Sequence, residues 1–216
     1  MAWFRFPLWF SSKRLFWKLM GCGKNGTFDI QPDWRQWSVL LVSDQEKQSE
    51  PPKFMQNWWK WMKAEVCILH LQPIEGHGTW DGKACMGEIP KDSSYDGIVA
   101  VLTRATIRLN RLKHFWKHVD AVASQMAGSD GFITSVGIGE VPWIKQATFS
   151  IWRNKASMKA FAYRRVEHKE VIKKTYQEKW YSEEMFVRFI PIKVTGSLES
   201  HPGWNKTVIE KIFTKN

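Results

Sequence analysis

Apolar and polar residues alternate at period two in several separate stretches of the chain, the pattern of half-buried strands. The clearest are WSVLLVS (37–43), ILHLQPIEG (68–76), AVLTRATIRL (100–109), ATFSIW (147–152) and VRFIPIKVTG (187–196). Trp3-Phe4-Arg5-Phe6 reads as a further strand, and SSKRLFWKLMG (11–21) as a short helix with Ser11 or Ser12 as its N-cap. RLKHFWKHV (111–119) and the segment holding Trp58, Trp59 and Trp61 also read as helices. Residues 137–172 predict a strand end, a tight turn at Glu140-Val141-Pro142, a second strand, and a helix carrying His168 on its inner face. Gly137-Ile138-Gly139 is read as a structural turn between two strands.

The order of these elements occurs twice. Phe16-Trp17-Lys18 recurs as Phe115-Trp116-Lys117, and Pro73-Ile74 is answered by Pro191-Ile192. Each copy reads β-α-β-β-α-β, the ferredoxin-like unit, whose antiparallel sheet has one face covered by helices and the other in need of a partner. The expected fold class is therefore α+β: two ferredoxin-like βαββαβ repeats packed as a pseudo-symmetric dimeric α/β barrel within one chain. The expected domains are a first repeat at 1–80, a linker at 81–97, a second repeat at 98–200 carrying the His168 helix, and a C-terminal tail at 201–216. The linker lies in the Gly-, Asp-, Ser- and Pro-rich stretch 78–97, which lacks periodicity.

Length and composition agree with a globular protein: 216 residues, 44% hydrophobic and 25% charged. No uninterrupted apolar run approaches a membrane span. The apolar opening MAWFRFPLWF is interrupted by Arg5 and Pro7 and reads as a first strand rather than a signal peptide. Three widely spaced cysteines, Cys22, Cys67 and Cys85, make neither a zinc motif nor a disulfide framework and suit a reducing cytoplasm. Cys22 sits in a glycine-rich, loop-like setting after the first helix, and it reads as an inert thiol. The net charge of +11 favours anionic partners. It is spread over helices rather than gathered in an arginine-rich block, so it reads as a solvated basic face and not as a nucleic-acid-binding tail. The aromatic content is unusual, with 14 Trp and 13 Phe, enough both to fill a core and to line a pocket for a flat apolar ligand.

Among candidate chemical groups, His168 shares a helical face with Phe161, Arg164, Arg165, Val171 and Ile172. An apolar face with a basic margin suits a haem, which needs an imidazole for iron and cations for its propionates. It equally suits a hydrogen-bonded core histidine. His114 and His118 are spaced for a metal but lack an accompanying carboxylate, and read as an exposed pair. His70 alternates with apolar residues in a strand, His77 sits in a glycine loop and His201 lies near the tail. Arg104 alternates with Ala100, Leu102 and Thr106 on one strand face, where a cation needs a partner: a propionate or a structural carboxylate. There is no GxSxG, no P-loop and no dinucleotide-binding glycine fingerprint.

LTRATI (102–107), GIGEVPWIKQATFSIWRN (137–154), MKAFAY (158–163), HKEVIKK (168–174) and WYSEEMFVRF (180–189) resemble the spheroidene monooxygenase family. KLMGCGKNGTFDIQPDWRQWSVLLV (18–42) and GTWDGK (78–83) extend the resemblance over most of the chain. The resemblance implies a haem-b-dependent oxygenase of the kind that inserts oxygen at the end of an acyclic carotenoid. It also implies a helix-borne axial histidine in the second repeat, which places His168 as the iron ligand. Arg104 is then expected at a propionate or in a distal contact, and Arg164 at the basic margin of the haem. Gln146, Phe149 and Trp152 are the expected wall residues, and Glu140 is the candidate to accept the imidazole N–H. One departure stands out: four residues before Trp180, where relatives commonly carry arginine, this chain has Tyr176. Tyr176 is therefore a candidate catalytic residue whose presence would change the pocket.

The expected function is a haem-b-dependent oxygenase acting on an apolar, carotenoid-like substrate. It would be supplied by an external electron donor, without nucleic acid, and would be cytoplasmic with a peripheral contact to the inner membrane face. The alternatives are a haem lyase or dehydratase acting on a nitrogen–oxygen substrate, a non-catalytic haem-binding or haem-sensing protein, and a cofactor-free oxygenase in which His168 is structural.

Overall fold

The computed structural model of the chain describes residues 2–11, 16–24, 31–43, 50–164 and 178–213. It is an α+β fold built on one curled, wholly antiparallel sheet of seven strands. The strands are β1 (Phe16–Gly23), β2 (Pro32–Val42), β3 (Ile68–Gly78), β4 (Val99–Ile107), β5 (Phe132–Val141), β6 (Lys145–Trp152) and β7 (Tyr181–Thr195). Their order across the sheet is β2-β1-β5-β6-β4-β7-β3. The helices are α1 (Arg5–Ser11), α2 (Lys53–Trp61), α3 (Leu112–Ala127), α4 (Lys155–Arg164) and α5 (Lys206–Phe213), with short 3-10 turns at Ala2–Phe4 and Leu109–Arg111.

The second half follows its hydrophobic pattern. β4-α3-β5-β6-α4-β7 run in the expected order, and their strands sit side by side as β5-β6-β4-β7 in the middle of the sheet. In α3, Phe115, Val119 and Met126 are buried at helical spacing, and Gly128 ends the helix. Asn154 caps α4 by accepting the Ser157 N–H at 2.8 Å, and Asn205 caps α5 by accepting the Val208 N–H at 3.1 Å.

The structure differs from the expectation in three places, two of them in the first half. Residues 3–6 are helical rather than a strand, because Phe4 and Leu8, one turn apart, both reach a buried cluster with Met55. Phe16-Trp17-Lys18 opens a strand, not a helix: its alternation places Lys18, Met20 and Cys22 on one face and Trp17 and Leu19 on the other. The identity with Phe115-Trp116-Lys117, which does lie in a helix, is thus a coincidence of sequence. Gly137, Ile138 and Gly139 lie inside β5, and the reversal falls at 142–144, beside the expected turn. The remaining first-half strands, β1-β2 and β3, occupy opposite edges of the sheet.

The two sheet faces are covered differently. An inner face carries Met20, Leu102, Ile138, Ile151 and Val187, and is closed by Trp80, Trp204 and α5. The expected tail is therefore part of the core: Trp204, Ile209 and Ile212 are buried, and the Trp204 indole N–H donates to the Ser135 carbonyl at 3.2 Å. The outer face packs against α3 and α4 in the second half, and against α1 and α2 over β1 and β2. Among the described residues no helix is long and apolar enough to cross a membrane.

Candidate functional site

Five strands that are consecutive in the sheet each bring one charged side chain to one end of the inner face. In sheet order they are Lys18 on β1, Glu140 on β5, Lys145 on β6, Arg104 on β4 and Glu183 on β7. Asp81, from the stretch after β3, docks onto this row. It pairs with Lys18, with Lys145 at 2.7 Å and with Arg104 at 3.4 Å. Arg104, only 1% exposed, donates through Nη1 to Glu183, and Glu140 lies 4.0 Å from its Nη2. Lys18 also pairs with Glu140 at 2.8 Å. Three cations and three carboxylates thus neutralise one another, as burial of a charge demands.

Trp80 is the centre of this network. Its ring is 1% exposed, with the Arg104 guanidinium 5.4 Å and the Lys18 ammonium 5.7 Å from the ring, and its indole N–H donates to Glu140 at 2.7 Å. Glu183 holds the neighbouring backbone, accepting from Thr79 Oγ1 at 2.8 Å and from the Gly82 N–H at 2.7 Å. The segment expected to be a passive linker is therefore a plug pinned into the sheet.

The network is locked in its ionised form. Burial alone would raise the Glu183 carboxyl, but the Gly82 N–H, the Thr79 hydroxyl and Arg104 hold it down to about 2. Asp81 is likewise held to about 2, with Lys145 and Lys18 outweighing burial. Lys18 is raised: burial opposes its charge, and Asp81 and Glu140 more than offset it. These three groups position the plug and do not exchange protons near neutral pH.

Next to the network a cleft of about 250 Å³ opens between β3, β7 and the plug. It is reached through Met185, the register partner of Arg104. Gly76 and Gly78 let β3 approach β7 closely there: a Cβ on Gly78, whose φ is 90°, would meet the Glu184 carbonyl oxygen at 2.2 Å. Cys85, Met86, Met185 and Val187 make the cleft apolar and sulfur-rich, with Cys85 Sγ 3.8 Å from Met185 Sδ.

The residues expected to surround a haem are placed as follows. His168 and Tyr176 lie outside the described residues, as does the side chain of Arg164, which ends α4. Arg104 and Glu140 do meet, within the ion network. Arg104 has found structural carboxylates as partners. Phe149 faces inward, stacked on Trp204 at 6.1 Å. Trp152 faces outward, stacked on Phe161 at 5.3 Å with its N–H on Ser150 Oγ at 2.9 Å. Gln146 shares that outer face and donates to the Val141 carbonyl at 3.2 Å. The described members of this set therefore do not line one pocket. The guanidinium fork of Arg104 is closed by carboxylates. These described residues do not by themselves form a haem pocket, and among the described residues no group of three or more His, Cys, Asp or Glu side chains is arranged for a metal ion.

Two of the other histidines pack against aromatic rings. His77 lies in β3, not in a loop, and stacks on Phe186 at 5.8 Å, while His118 packs its ring against Trp180 at 5.6 Å. Cys22 lies in β1 rather than in a loop; burial, with some help from Asp33, pushes its thiol up to about 12, which fits an inert residue.

Sequence reasoning named Arg104 and Glu140 but missed Lys18, Trp80, Asp81, Lys145 and Glu183. A signal was present, since all seven lie in the stretches that carry the family resemblance. Strand register was needed to bring them together.

Fold and site together define an antiparallel α+β protein whose apolar interior is sealed at one end by a neutralised ion network. No family profile matches the chain. A spheroidene monooxygenase from Rhodobacter capsulatus is 34% identical over 186 residues, covering 84% of this chain and 77% of that protein. One from Cereibacter sphaeroides is 34% identical over 193 residues, covering 87% of this chain and 59% of that protein. One from Rubrivivax gelatinosus is 29% identical over 185 residues, covering 84% and 70%. The chain belongs to the spheroidene monooxygenase family, and it is an enzyme of the oxygenase class. Solved structures similar to it include Rv0793 from Mycobacterium tuberculosis, with a TM-score of 0.40 and 12% identity over 45% of this chain and 97% of that one. A monooxygenase-like protein from Listeria innocua has a TM-score of 0.33 and 9% identity, covering 86% of each chain. Likeness at this level carries no argument about function.

Proposed function

We propose that this chain is a haem-dependent monooxygenase acting on an apolar, carotenoid-like substrate. Family membership is the observation that carries this reading, and the apolar interior agrees with it. Monooxygenation places one atom of dioxygen in the product and reduces the other to water, so two electrons and two protons must come from an external donor. Binding and reduction of dioxygen is the chemistry that a haem would supply. His168 is the proposed axial ligand, on the strength of the family resemblance. Tyr176, where relatives commonly carry arginine, is the residue proposed to set this chain apart. The order β5-β6-β4-β7 supports a ferredoxin-like reading of the second half, and we propose the pseudo-symmetric barrel as the arrangement of the whole protein.

The described residues have a supporting part. Asp81, Glu183 and their cations hold Trp80 against the sheet, which keeps water from that end of the interior. Cys85, Met86 and Met185 offer an apolar slot for one end of a long substrate.

The test is reconstitution of the purified protein with haem b, followed by incubation with an acyclic carotenoid and a reductant. A Soret band that is lost or shifted in His168→Ala, together with an oxygenated product, is the expected result. Haem uptake without product would favour the non-catalytic haem-binding alternative. Absence of haem uptake by the wild type would overturn haem dependence.

A further inference from the structure

The outer face of the first half carries a surface that the oxygenase reading leaves unused. Trp3, Phe6, Trp9 and Phe10 are each at least 75% exposed, although they belong to the segment that buries Phe4 and Leu8. On α2 and just beyond it, Trp58, Trp61 and Met62 are also exposed. The two groups are neighbours: Phe4 meets Phe54 at 5.9 Å and Trp58 at 6.2 Å, and Trp58 meets Trp61 at 5.1 Å. Seven large apolar side chains at this exposure present on the order of 1,000 Å², well beyond the few hundred expected of an ordinary monomer surface.

The charge on this surface has one sign. Residues 2–11 and 51–64 contain Arg5, Lys53, Lys60 and Lys63 and no acidic residue. A second copy of the same face would therefore meet it with like charge. An anionic lipid surface complements both of its properties. Indole and phenyl rings settle at the headgroup level, and lysines and arginine pair with lipid phosphates.

We propose that α1, α2 and the aromatic residues around them form a docking face that seats the protein on an anionic lipid bilayer. Its purpose rests on the reading above, because a carotenoid-like substrate is dissolved in the membrane and must be collected there. The face lies on the outside of β1 and β2, so docking leaves the helices of the second half free of the bilayer.

The experiment is flotation of the full chain with vesicles of phosphatidylcholine, alone or mixed with phosphatidylglycerol, in the absence of any substrate. Binding to the anionic vesicles, a blue shift of tryptophan emission and weakening by salt are expected. The triple variant Trp9→Ser, Phe10→Ser, Trp61→Ser should lower partitioning by roughly a hundredfold, at about 1 kcal/mol for each ring withdrawn from the interface. Lys60→Glu with Lys63→Glu should abolish the preference for anionic lipid. All these positions are exposed, so the variants should keep the wild-type circular dichroism and melting midpoint.

The idea is overturned if the wild type fails to float with anionic vesicles, or if the triple variant floats equally well. It is also overturned if the wild type sediments as a dimer, the variant as a monomer, and neither binds lipid, since the face would then be a subunit interface. Carotenoid turnover is measured separately in detergent micelles. Lipid binding without turnover sinks the substrate reading and leaves the docking face standing; turnover without lipid binding does the reverse.

Discussion

The two halves of this chain contribute unequally to one sheet. The second half supplies the four central strands, β5-β6-β4-β7, and most of the buried side chains among the described residues. The first half supplies both edges, and among the described residues it carries nine of the thirteen large hydrophobic side chains that remain exposed. Similar strand patterns thus serve different ends. A central strand is paired on both sides and covered on both faces, so its alternation becomes core. An edge strand leaves one side unpaired, and the helices above it are free to present aromatic residues outward. The difference locates stability in the second half and surface recognition in the first.

The largest effect should come from breaking the link between the halves. Arg104→Met takes from Glu183 its cation beside an apolar interior, while Asp81 keeps Lys18 and Lys145, and should lower unfolding stability by about 3 kcal/mol in urea denaturation. A loss below 1 kcal/mol would mean that the ion network is dispensable. Trp80→Ala should cost about 3 kcal/mol by emptying the plug. It should also bring faster proteolysis within residues 79–89, while a change confined to distant sites would refute the role of the plug.

Hydrogen exchange compares the halves directly. Amides of β4, β6 and β7 should exchange only through global unfolding, whereas those of β2 should exchange through local opening at lower free energy. Equal protection would remove the distinction drawn here.

A smaller effect follows from acid. Asp81 and Glu183 are held near 2 in the folded chain, against ordinary values of 3.8 and 4.5. Both folded values are depressed, so their contribution is complete above about pH 4.5 and is lost as the pH falls toward 2. Melting midpoints measured across that window should fall, and Glu183→Gln should flatten the slope. The smallest effect belongs to the aromatic surface: Trp61→Ser should leave stability within about 0.5 kcal/mol of the wild type. A large loss would show that Trp61 belongs to the packing of the first half.

Much of the fold was legible from alternation alone. All five strands read most clearly are present: β3 and β4 start at or within one residue of their expected positions, while β6, β2 and β7 begin two, five and six residues earlier, at Lys145, Pro32 and Tyr181. The failures share a cause. Residues 3–6 and 16–18 are rich in large aromatics, which suit a strand or a helix equally, so only their neighbours in space could decide. Phe4 and Leu8 found Met55, and the helix followed; Lys18 found Asp81 and Glu140, and the strand followed. The candidate site shows the same limit. Arg104 was readable as a cation in need of a partner, but its partners sit 23, 36 and 79 positions away, at Asp81, Glu140 and Glu183.

The sequence by itself determined the α+β class, the strands of the second half and the family, because each depends on local alternation or on long matched motifs. The tertiary structure alone decided that the edges come from the first half, that the linker is a plug, and that Phe149 and Trp152 face opposite sides of the sheet from a single strand. Those outcomes depend on strand order and register, which a one-residue change would invert and which no local pattern records.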